Sequence, residues 1–165
     1  MIQMREKTIV TLEPYEHWLG VQVGARRQMA AERRGTPPAF PEQYSGQLYG
    51  NHILGACAEI AVAKHLGAYW DGSVDVGARA DIPSWNVDVR FSPTRPKIRP
   101  KDTSRIVAVM PAKLTKQSNA FQFEIVGWHN PSEARQRDEW RSDTEPLCWF
   151  PSEWRDIATL ERPVE

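Results

Sequence analysis

Residues 55–67, GACAEIAVAKHLG, and residues 81–90, DIPSWNVDVR, decide how this chain reads. In the first, Glu59 sits among alanines and other small residues, and Cys57, Ile60, Ala61, Lys64 and His65 continue a 3.6-residue period that begins at Ile53 and Leu54. That spacing predicts a helix from about Gln47 to Leu66, stopped by Gly67, with small side chains that let a neighbouring element approach closely. In the second, Val87, Val89 and Phe91 alternate with Asp88 and Arg90, the period of a half-buried strand. Residues i and i+2 of a strand share a face, so Asp88 and Arg90 project together. Asp81 precedes a short turn containing Pro83 and can fold back beside them, and three carboxylates, Glu59, Asp81 and Asp88, are expected to converge.

Working outward, residues 15–34 carry Trp18, Val21, Val23, Ala25 and Met29 near helical spacing, with Gly35 to end the helix and a break at Pro37, Pro38 and Pro41. Val74 and Val76 read as a further strand, punctuated by Gly72 and Gly77. Strands are predicted again at residues 105–110, RIVAVM, and 121–128, FQFEIVGW. Between Pro93 and Lys101 lies a loop with three prolines and four cations. The tail, 131–165, offers a short helix from Ser132 into Trp140, an apolar patch at Leu147–Phe150 and another short helix around Ser152–Leu160. The order predicts an α/β or α+β layer fold with one central mixed sheet flanked by helices. Its 165 residues make a single domain: an N-terminal helical segment 1–46, a core 47–130 and an acidic, Trp-rich extension 131–165.

Composition narrows the function classes. Seven Trp and 41% hydrophobic residues are enough for a core. The balance of 21 basic to 21 acidic residues excludes a polybasic binder that works through a uniform positive field. Charge is nonetheless uneven, since residues 79–130 hold nine Lys or Arg against four acids and residues 131–165 hold five against nine. Cys57 and Cys148 read as buried small hydrophobes. There is no apolar signal segment at the N-terminus and no run of about 18 apolar residues, so a cytoplasmic protein without membrane contact is expected.

Three carboxylates at one place oppose each other's ionisation unless a cation neutralises them. Oxygen-only ligands suit Mg²⁺ or Mn²⁺, which accept one or two carboxylates plus a substrate phosphate. Arg90 beside such a metal would stabilise charge developing on a phosphate. Asp75 competes with Asp81 for the role of second acid.

An acid on a first core helix, an aspartate at a strand end and (D/E)-X-K on the next strand is the signature of the PD-(D/E)XK nucleases. GACAEIAVAKHLG, the following VDVR and the later FEIVGW resemble small phage-encoded members of that superfamily, over roughly residues 50–130. The resemblance implies a restriction-endonuclease-like core behind an N-terminal helical pair. It makes Glu59 the helical acid, Asp81 the first motif aspartate, Asp88 the (D/E) and Arg90 the lysine position. All four would be catalytic, with Glu59, Asp81 and Asp88 holding the metal. It implies a divalent-metal-dependent hydrolase of DNA phosphodiester bonds, in the host cytoplasm if phage-encoded. The chain departs from the pattern at Ala80, which stands where the motif has proline, in the short gap from Asp81 to Asp88, and at Arg90. An arginine does not exchange protons near neutral pH, although it stabilises charge and contacts phosphate bidentately. That change favours the alternative of a catalytically silent module that binds DNA or a partner protein, such as a phage accessory factor docking through its C-terminal extension.

Arg95, Lys97, Arg99 and Lys101 are expected to contact a nucleic-acid backbone, or else to form a solvated loop. Glu59 also reads as a partner of Arg90 or Lys64, with Asp88 and Arg90 an exposed pair of little weight. His52, His65 and His129 lack zinc-ligand spacing. Trp128 and His129 read as core, or as a platform for a base.

Overall fold

The computed structural model describes residues 6–36, 45–74, 77, 79–112, 121–144 and 146–164. The proline break at 37–41, Val76 and Asp75 lie outside the described residues. Helix α1, Pro14–Arg33, starts at a proline whose fixed φ suits the first helical position, and Glu16 accepts from the Glu13 N–H at 2.7 Å. Helix α2, Ser45–Leu66, ends where Gly67 takes φ 62°. Both match the predicted helices closely. The two pack on each other through glycines: a Cβ on Gly20 would collide with Cys57, and one on Gly24 with the backbone of Ile53. The same approach buries Cys57, whose thiol is pushed up to about 11 by burial and the charge of Glu59.

Four strands follow one sheet, β1 (Thr8–Thr11), β2 (Val87–Phe91), β3 (Arg105–Pro111) and β4 (Gln122–His129), in the order β1-β4-β3-β2. β2 runs parallel to β3 and the other pairings are antiparallel, so the sheet is mixed. The protein is therefore a mixed α/β fold, as expected. Three differences from the sequence reading stand out. The N-terminal leader contains β1, a strand too short to show a period. Val74 lies in a bend rather than a strand. Among its described residues the tail forms one helical turn, α3 (Pro131–Ala134), and two 3-10 turns, Asp138–Trp140 and Ile157–Thr159.

The sheet is covered on both faces. On one, Val87 packs with Cys57, Ala61 and Val62 of α2 and with Val107 and Val109 of β3, and Val89 and Phe91 pack against that cluster. On the other, Ile106 of β3 joins Ile98, Ala134, Trp140 and Trp149. Ile98 is anchored in the crossover from β2 to β3 by paired backbone bonds with Trp149, 2.8 and 2.9 Å. The tail thus completes the fold: Trp140 and Trp149 cover the second face, while Ile157 and Leu160 enter the first cluster. Gly127, at φ 148°, lies where a Cβ would meet the Arg155 carbonyl, so the tail can pair with β4 only at a glycine.

Candidate functional site

Parity along β2 divides the acidic residues. Val87, Val89 and Phe91 face α2, so Asp88 and Arg90 face the opposite side, level with Ile106 and Ala108 of β3. Glu59, on α2, stays on the helix side. There it is buried, 5% exposed, and its carboxylate is fully engaged. Arg27 of α1 donates from both terminal nitrogens, Nη1 to Oε1 at 2.6 Å and Nη2 to Oε2 at 2.9 Å, and Trp70 Nε1 donates to Oε2 at 2.9 Å. The Arg27 fork also reaches the Ser73 carbonyl at 2.9 and 3.0 Å, tying residues 70–73 to the helices. Burial works against the charge of Arg27, but Glu59 outweighs it and the guanidinium pKa is raised. The partner of Glu59 is thus Arg27, not Arg90 or Lys64; Lys64 pairs instead with Glu16 at 2.7 Å.

Asp81 lies at the free edge of β2 between the two sides. Its Oδ2 accepts from the Val89 N–H at 2.8 Å, and its own N–H donates to Asp88 Oδ1 at 3.2 Å. The 3-10 turn Pro83–Trp85, closed by Asn86 at φ 49°, returns the chain so that Ile82 bridges Val87. Burial pushes the Asp81 carboxyl up to about 7, helped by the charges of Glu59 and Asp88 and opposed by the Val89 hydrogen bond. Asp88 is also raised, first by burial, although the Asp81 N–H, Arg90 and the Ser104 hydroxyl favour its charge.

Beside these acids, Arg90 Nη2 donates to Asp102 Oδ1 at 2.9 Å, and Asp102 Oδ2 accepts from the Arg99 N–H at 2.7 Å. Arg79 pairs with Asp71 at 3.0 Å. Asp81, Asp88, Arg90 and Asp102 line one open groove of about 500 Å³ with Arg79, Arg99 and Lys101.

The expectation of three converging carboxylates is corrected by this arrangement. Asp81 and Asp88 come together and the charge of Glu59 still acts on Asp81, but both Glu59 oxygens are taken by Arg27 and Trp70. Among the described residues no group of three or more His, Cys, Asp or Glu is placed to hold a metal ion. Of the basic loop, Arg99 and Lys101 line the groove, whereas Arg95 stacks on Phe150 at 4.4 Å and Lys97 is half-buried outside it. Trp128 is flanked by Arg105 and Arg155 and donates to Thr159 Oγ1 at 3.0 Å, which leaves it packed rather than open to a base. His129 is buried edge-on to Trp140.

Arg27, Trp70 and Asp102 were missed from the sequence. Arg27 had a signal, since it continues the buried stripe Gly20, Val23, Gly24 at helical spacing. Asp102 is the single acid at the end of the basic loop. Trp70 gave none.

Comparison with known proteins finds no match: no family model fits the chain, and no curated protein and no solved structure matches it. No helix among the described residues is long and apolar enough to cross a membrane.

Proposed function

We propose that the protein is a divalent-metal-dependent nuclease of the PD-(D/E)XK type, built on a restriction-endonuclease-like core and hydrolysing DNA phosphodiester bonds. One observation carries this reading: Asp81 and Asp88, tied by a bond from the Asp81 backbone N–H to Asp88 Oδ1, line the same groove as Arg79, Arg90, Arg99 and Lys101. Mg²⁺ and Mn²⁺ need only one or two carboxylates when water and a substrate phosphate complete the shell. Two adjacent carboxylates, one pushed up to about 7, are a donor set that a cation would relieve. Asp81 and Asp88 would hold the ion, which would polarise the phosphate and make the attacking water more acidic. Glu59 is assigned a supporting role, because its oxygens are taken by Arg27 and Trp70. Arg90 and Arg99 would counter charge developing on the phosphate oxygens, and Lys101 would hold the strand.

A second reading, a silent module that binds nucleic acid without cutting it, is favoured by the pairing of Arg90 with Asp102 and by arginine at the lysine position. Incubation of labelled single- and double-stranded DNA with Mg²⁺, Mn²⁺ or EDTA separates the two. Metal-dependent cleavage by the wild type, lowered about a hundredfold or more in Asp88→Asn, is expected. Folded protein that binds DNA and never cuts it would give the function to the silent module.

A further inference from the structure

We propose that Arg90 and Arg99, joined through Asp102, form a subsite for one phosphodiester group of a nucleic-acid strand, beside the Asp81–Asp88 pair. The proposal deepens the nuclease reading by naming a substrate contact, but it concerns binding and holds equally for a silent module.

The Arg90 guanidinium donates to Asp102 Oδ1, Asp102 Oδ2 accepts from the Arg99 backbone, and the Arg99 guanidinium lies within range of both charges. Asp102 is buried at 6% exposure, and the Arg90 side chain is 16% exposed, so water does little to screen these charges, among which Asp88 also acts on Arg90. Among the described residues no acid forms an ion pair with the Arg99 side chain.

Hydrogen bonding points the same way. A guanidinium carries five N–H donors in a fork that matches two oxygens of a phosphate. Arg90 reaches Asp102 through Nη2, while its Nε is buried with no partner. Arg99 is packed close enough to Arg90 that burial, and then the Arg90 charge, lower its pKa. A like-charged pair held in a groove of about 500 Å³ is costly until an anion enters.

The pair is also preorganised. Ile98, fully buried and bonded to Trp149 through both backbone groups, fixes the residue before Arg99. Arg135 Nη1 donates to the Asp102 carbonyl at 2.9 Å and holds the other end of the turn. Arg90 is carried by the edge strand β2, held by its parallel pairing with β3. An anion would find the Arg90 fork and the Arg99 backbone in place, without the ordering cost of a free loop.

The test is binding in EDTA, where no cleavage occurs, by fluorescence anisotropy of labelled single- and double-stranded oligonucleotides across a salt series. For Arg99→Gln, affinity about tenfold weaker and a log–log salt slope smaller by about one are expected. Arg99→Lys should regain the slope but only part of the affinity. Inorganic phosphate at millimolar concentration should raise the unfolding midpoint of the wild type and leave that of Arg99→Gln unchanged, which gives a readout that does not depend on DNA. Equal affinity and equal slope for wild type and Arg99→Gln, or no binding by the wild type, would overturn the subsite. Absence of cutting with Mg²⁺ while these shifts appear would remove the nuclease reading and leave the subsite standing.

Discussion

The two faces of the sheet carry polar clusters of similar composition and opposite design. On the helix side Arg27, Glu59, Trp70 and the Ser73 carbonyl satisfy one another, with both carboxylate oxygens and three guanidinium nitrogens used. On the far side Asp88 stands by Arg90, whose side chain shares the Asp102 carboxylate with the Arg99 backbone, and Asp81 lies at the edge between the two clusters. The first cluster closes a gap between helices and holds a loop. The second retains unsatisfied charge of both signs in an open groove, an arrangement that is costly in a folded chain and useful for holding a ligand. Proximity in the sequence does not separate the two; the face of β2 does.

The contrast breaks most sharply at Arg27. Arg27→Ala leaves Glu59 buried without its cation, and a loss of about 3–5 kcal/mol in urea unfolding is expected. Removing both residues should cost clearly less than the sum of the single changes, as a coupled pair requires. A loss under about 1 kcal/mol for Arg27→Ala would show that the helix-side cluster is not structural.

Asp81→Asn should act in the opposite direction. The folded-state carboxyl, at about 7, lies above its ordinary 3.8, so the folded protein keeps a proton that the unfolded chain has released. The stability this contributes is full below about pH 4 and is lost as pH rises through 7. Asparagine keeps the oxygen that accepts from Val89 and carries no charge. The variant is therefore expected to be more stable than the wild type at pH 8, by on the order of 1 kcal/mol, and no more stable at pH 4. Millimolar Mg²⁺ should raise the wild-type unfolding midpoint at pH 8 and leave that of the variant where it was. A wild type that gains stability between pH 4 and 8 relative to Asp81→Asn would remove the basis for a strained acid pair.

The smallest effect sets the baseline. Lys7 bonds Glu124 at 2.7 Å on the sheet, but the lysine side chain is 56% exposed, and Lys7→Ala should cost less than about 0.5 kcal/mol. Close ion-pair geometry therefore separates the clusters less well than burial does.

Much of this was legible in advance. The helical spacing of Trp18, Val21, Val23, Ala25 and Met29, and of Ile53 through His65, marked both long helices, and residues 87–91, 105–110 and 121–128 marked three of the four described strands. Strand β1 escaped because four residues carry too little period, and the tail because it packs through isolated residues such as Trp140, Trp149 and Ile157. Asp88 and Arg90 were rightly placed on one face, since a strand's period of two is a local property.

The sequence alone determined the local periods, the pairing of Asp81 with Asp88 across a short turn, and the basic character of residues 95–101. Tertiary structure decided that Glu59 belongs to Arg27 and not to the acid pair, and that Arg99 and Lys101 reach the groove while Arg95 does not. The physical reason is that period and turn chemistry act over a few residues, whereas the side of the sheet on which α2 and the crossover lie is set by burying apolar faces far apart in the chain.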